Sequence, residues 1–131
     1  MCLDKLEKFK VSKNIGYVVV RPVYQVNCSD GEVLPVHYSS LFWYFIKYEL
    51  GVTYTAYNVE VIISSRKLEQ YTSGFHIFLR KKDVIKYNCN SGSDNTTIMK
   101  CKFSKVLAKG LQNGMKCIVA NERTLLKEVK E

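Results

Sequence analysis

The side chains most able to do chemistry lie in one short stretch, Phe75-His76-Ile77-Phe78-Leu79-Arg80-Lys81-Lys82. His76 sits inside an apolar run, and in an extended strand it points to the face opposite Phe75 and Ile77. Such an imidazole is either a core ring satisfied by a backbone carbonyl, or a ring that lines a cleft and stacks on or hydrogen-bonds to a ligand with a pKa near neutrality. Arg80, Lys81 and Lys82 follow directly, where the sequence predicts a helix start. Cations beside the free N–H groups of a helix N-terminus make a phosphate site. Arg21, on a neighbouring predicted strand, adds a further cation. The predicted ligand-binding set is therefore His76, Arg80, Lys81, Lys82 and Arg21.

Other chemistries lack their signatures. Nothing matches a G-x-x-x-x-G-K-[ST] or G-x-G-x-x-G phosphate loop, nor a G-x-S-x-G nucleophile elbow. The five cysteines (Cys2, Cys28, Cys89, Cys101, Cys117) show no C-x-x-C pair, and only His37 and His76 could complete a ligand set, so no metal site is expected. Cys2, if exposed by methionine removal, would pair a thiol with its own amine, but no oxyanion-hole motif follows it.

Charge bounds the partners. Lys+Arg is 20 against 12 Asp+Glu, a net +8 with a pI near 9.3. Such a field captures anionic small molecules and polyanions, although a solvated basic surface would give the same count. The cations cluster at Lys5-Lys8-Lys10-Lys13, Arg66-Lys67, Arg80-Lys81-Lys82 and Lys100-Lys102-Lys105-Lys109. Nine Tyr, six Phe and one Trp accompany them. Basic grooves with exposed rings bind single strands by stacking and counterion release, so nucleic acid joins the candidate partners.

The 131 residues suit a single domain, 1–131, and 47% hydrophobic residues suit a packed core. No signal pattern or membrane-length apolar run occurs, which predicts a cytoplasmic protein with free thiols and no membrane partner. Ile15 to Val26 reads as a strand carrying Pro22. Ser39-Ser40 and Gly51 bracket a short helix over Leu41–Ile46. Thr53, Thr55, Tyr57, Val59, Val61 and Ile63 alternate as a strand. Phe75–Leu79 is a central strand, and Lys81–Tyr87 a short helix packing Val84 and Tyr87. Met99, Cys101 and Phe103 alternate with lysines until a bulge near Ser104-Lys105. Asn113-Gly114 suits a primed two-residue turn, followed by strands over Met115–Ala120 and Thr124–Val129. The predicted fold is α+β: a mostly antiparallel or mixed sheet of six or seven strands with two or three short helices.

Two resemblances add expectations. Gly74-Phe75-His76-Ile77-Phe78, with Asp83-Val84 and Tyr87 after it, resembles a G-[FIL]-H-x-F strand and E/D-A-x-x-Y helix of small phage and prophage proteins. Tyr48 to Tyr54 resembles their Y-x-x-G-x-x-Y element, and Met1-Cys2-Leu3 is similar to their opening. Together these cover about two-thirds of the chain. The resemblance implies viral origin and action in a host cytoplasm. The same block is similar to the ADP-ribosyltransferase-like fold, in which a G-[IL]-Y-F strand, a helix ending near S-x-x-Y and a strand closing on glycine follow in order. There, His76 would take the ring-stacking position, and Glu122 of Asn121-Glu122 the catalytic acid. Arg21-Pro22 stand where that family carries His-Gly or Arg-Gly, and Pro22 has no N–H to donate.

The combined expectation is a phage-type accessory protein whose basic cleft binds an anionic, nucleotide-like ligand or a nucleic-acid-binding host partner, by analogy a defence protein. It requires no cofactor. The alternative is an ADP-ribosyltransferase-like enzyme using NAD, with Arg21, His76 and Glu122 as catalytic residues. A protein-interaction module without a ligand is the third reading.

Overall fold

The alternating lysine-rich stretch after residue 96 builds the frame of the molecule. In a computed structural model, which describes residues 3–26, 33–40, 48–58, 60–62, 70–90 and 95–129, it forms the 16-residue strand Thr97–Gln112. In chain order the described elements are β1 (Lys5–Leu6), β2 (Ile15–Val26), β3 (Val33–Ser40), β4 (Thr53–Thr55), β5 (Glu60–Ile62), β6 (Gln70–Thr72), β7 (Phe75–Phe78), α1 (Lys81–Asn90), β8 (Thr97–Gln112) and β9 (Met115–Val129). Asn113 and Gly114 join β8 to β9 with φ of 51° and 78°, the left-handed pair that a tight primed turn requires.

Among the described residues every pairing is antiparallel. The main sheet runs β1-β8-β2-β7-β9-β4, with β3 beside β2 and β8 also paired to β9. The strands β8, β2, β7 and β9 thus form a closed ring, shut by the single bridge Tyr17↔Phe78. Closure hides strand edges that would otherwise template aggregation. Gly16 makes the crossing possible, since a Cβ there would strike the Ile77 side chain and come within 2.9 Å of the Phe78 carbonyl. β5 and β6 pair separately as a two-stranded ribbon.

One face of the closed sheet buries Val18, Val20, Ile77, Met99, Cys101, Phe103, Ile118, Ala120 and Leu125. The other packs Val19, Phe78, Ile98, Cys117 and Val119 against Val84 of α1 and Tyr71 of β6. Each fully buried aliphatic or aromatic side chain contributes about 1.5–3 kcal/mol relative to exposure.

Three expectations change. The two or three short helices expected of an α+β fold reduce to one among the described residues, so the fold is mostly sheet. The reason is periodicity. α1 is the stretch whose apolar residues, Val84 and Tyr87, recur at helical spacing, whereas β8 and β9 are long paired strands broken only by local register shifts. The expected Leu41–Ile46 helix lies outside the described residues, as do Arg66-Lys67. Second, the strand expected from Thr53 to Ile63 is interrupted: β4 joins β9, whereas β5 joins β6. Between them the Asn58 amide donates to the Ser73 carbonyl at 2.7 Å, and the Ser73 hydroxyl donates to the Tyr57 carbonyl at 3.2 Å. Side-chain bonds of this kind compete with ladder pairing. Third, the two strands expected after Asn113-Gly114 are one, because Glu122 and Arg123 stay in register with Ser104 and Phe103. The slip near Ser104-Lys105 appears as a φ of 57° at Lys105, with register shifts at Lys100/Cys101 and Val106/Ala108.

Candidate anion-binding groove

The predicted ligand cluster divides. His76 on β7 pairs with Val119 of β9, and its ring lies edge-on to Tyr71 with centroids 6.3 Å apart. Its Nδ1 is buried with no hydrogen-bond partner. Burial pushes its pKa down to about 4, so the ring is neutral near pH 7 and offers an anion no charge. Arg80, Lys81 and Lys82 are exposed at the start of α1. The Arg80 carbonyl accepts the Asp83 and Val84 amides at 3.2 and 3.3 Å, closing the first helical turn. Asp83 already supplies negative charge to that turn, which complements the helix dipole from within the chain.

Arg21 is half-buried on β2, where its backbone pairs with Ser39. Alternation from the Tyr17↔Phe78 bridge puts Arg21 and His76 on the same face of the sheet. Glu122 lies three residues beyond Val119 on β9, roughly 10 Å along the strand. Its carboxylate is held by Lys105 at 3.1 Å and accepts the Ser104 hydroxyl at 3.3 Å. Arg21 and His76 thus share a face, while Glu122 is engaged by β8.

A different convergence brings cations together. The segment from Asp4 to Ile15 lies along β8. The Asp4 amide donates to the Leu111 carbonyl at 2.8 Å, and the Glu7 amide to the Lys109 carbonyl at 3.1 Å. At the far end the Phe103 amide donates to the Asn14 carbonyl at 2.9 Å. Gly110 permits the approach, because any Cβ there would collide with the Lys5 carbonyl. The Asp4 carboxylate accepts the Asn113 amide at 2.6 Å and so pins the segment to the β8–β9 turn. Lys109 Nζ reaches the Phe9 carbonyl at 3.0 Å, and Lys116 Nζ stands 5.4 Å over the Phe9 ring.

Two hollows flank this crossing and share Val106 and Lys109. One, of about 1010 Å³, is lined by residues 6–9, 70–72 and 106–109. The other, of about 770 Å³, is lined by residues 11–15 together with Phe103, Ser104, Val106 and Lys109. His76, Arg80, Lys81, Lys82, Arg21 and Glu122 line neither. Fold closure has merged two lysine clusters from opposite ends of the chain: Lys5, Lys8, Lys10 and Lys13 with Lys102, Lys105 and Lys109. Between residues 100 and 116 the chain has no acidic residue. Asp4 is engaged by Asn113, and among the described residues Glu7 is the carboxylate on the wall of the larger hollow.

Sequence reasoning noted both clusters but not their meeting, because the contact joins residues about a hundred positions apart. It also passed over Arg123. That guanidinium is buried on the core face, 4.3 Å from the Phe75 ring centroid and 4.7 Å from that of Tyr48. Among the described residues no carboxylate pairs with it. Burial lowers its pKa, and ring stacking supplies part of the lost solvation. It is a packing element, remote in sequence pattern from any basic cluster.

Among the described residues no group of His, Cys, Asp or Glu converges as a metal site. No helix among them is long and apolar enough to cross a membrane. No family model, curated protein or solved structure matches the chain.

Proposed function

We propose that this protein binds an anionic, nucleotide-like ligand through the groove between its N-terminal segment and β8. One observation carries the reading. Lys8, Lys13 and Lys109, drawn from both ends of the chain, line two adjoining hollows in which, among the described residues, Glu7 is the single lining carboxylate. Such a concentration of one charge sign over partly apolar walls raises the local concentration of anions and speeds their capture. Lys8 and Lys13 are exposed and line one hollow each, so they act on the ligand without holding the fold.

The reading is tested by thermal shift and calorimetric titration with ATP and inorganic polyphosphate. Ligand at about ten times its Kd stabilises the folded state by about 1.4 kcal/mol, a shift of a few degrees. The double variant Lys8→Glu, Lys13→Glu is expected to lose the shift. The variant Arg80→Ala, Lys82→Ala is expected to keep it. The opposite pattern would move the site to the start of α1, and no response to any anion would end the proposal.

A further inference from the structure

We infer that the ligand of this groove is single-stranded nucleic acid, lying along both hollows with its phosphates on the lysines and its bases on the apolar floor. The inference rests on the anion-binding reading above and specifies its substrate class.

Shape is the first argument. The two hollows lie side by side and share Val106 and Lys109 as lining, so together they outline an elongated surface rather than a cup. Sites for small molecules enclose most of the ligand surface, whereas an elongated surface suits an extended chain. Cation type is the second. Among the described residues every cation lining the hollows is lysine: Lys8, Lys13 and Lys109. Lysine is a mobile point charge, while arginine presents the rigid fork that reads one phosphate or carboxylate bidentately. A row of point charges neutralises a backbone wherever its phosphates fall. The floor is the third. Val106 and Leu107 are each 38% exposed, and the half-buried Phe9 stands beside them. A duplex presents its phosphates outward and would leave this floor wet. An acidic peptide presents carboxylates but no flat apolar faces to cover it. Unpaired bases supply both charge and π-faces.

Fluorescence anisotropy with a labelled oligothymidine of about fifteen nucleotides tests this, against a duplex of equal length, polyglutamate and polyphosphate as competitors. The single strand is expected to bind at least tenfold tighter than the duplex. Its log K should fall with log salt with a slope of about −2 to −3.5, as three to five lysine–phosphate contacts would give. Phe9→Ala should weaken single-strand binding five- to tenfold and leave polyphosphate binding unchanged. Because Phe9 also packs on the core, Leu107→Ser on the exposed floor is the companion variant, with the same expectation. Duplex or polyglutamate binding as tight as the single strand would overturn the inference and leave the anion-binding reading standing. So would floor variants that bind the strand like wild type. Failure of every polyanion to bind would overturn both.

Discussion

The corner where β7 enters α1 and the groove where the N-terminal segment crosses β8 are both basic, yet they differ in construction. At the corner, cations adjacent in sequence stand on an exposed helix turn, and the nearby histidine is packed under Tyr71 as a neutral ring. At the groove, cations distant in sequence meet over a hollow with an apolar floor. Sequence adjacency therefore marked an exposed turn that lines neither hollow, and topology brought distant lysines to one place. The corner is built by packing, and the groove is where ligand binding is proposed.

That contrast predicts its own hierarchy of effects. The largest is at the corner's interior. Phe78→Ala, at 1% exposure and beside Tyr87 at 5.1 Å between ring centroids, should cost about 3–5 kcal/mol in urea denaturation. Leu107→Ala in the groove should cost under about 1 kcal/mol, because it is partly solvated. Similar costs at both positions would erase the distinction.

Next is a pH effect confined to the corner. His76 holds a proton with a pKa of about 4 when folded, against 6.5 unfolded. Between these values the unfolded chain binds more protons, so stability is complete above pH 6.5 and falls as pH drops toward 4. The full span is worth up to about 3 kcal/mol. The loss of stability between pH 7 and 4.5 should be about 2 kcal/mol larger in wild type than in His76→Gln. Parallel curves would mean that the ring is not buried as the neutral form. Groove binding should be indifferent to this substitution.

The smallest effect separates electrostatics from catalysis. Glu122 pairs with a largely exposed Lys105, so Glu122→Gln should change stability by less than about 1 kcal/mol. Releasing Lys105 should tighten polyphosphate binding by about twofold. A loss of polyphosphate binding would overturn this electrostatic account, and NAD turnover that disappears in Glu122→Gln would restore Glu122 as a working acid.

Much of the architecture was legible where one physical signal dominated. The run Ile15–Val26, the Asn113-Gly114 turn and the helix after Arg80 all follow from β-branching, positive-φ tolerance and apolar spacing. The break after Thr55 was not legible, because it depends on Asn58 and Ser73 bonding across the fold. Nor was the fate of His76, since a strand pattern gives a side chain's face but not what covers it. Arg123 shows the same limit: a charge in an alternating strand gave no sign that Phe75 and Tyr48 would enclose it.

The register of the first strand has a consequence for how the molecule comes into being. Lys5 and Leu6 find their partners only at Leu111 and Gly110, so on the ribosome the leading lysines have no strand to join until nearly the whole β8 ladder has been synthesised. Contacts of such sequence separation are among the slowest to form. The groove between the N-terminal segment and β8 therefore cannot form until β8 is in place.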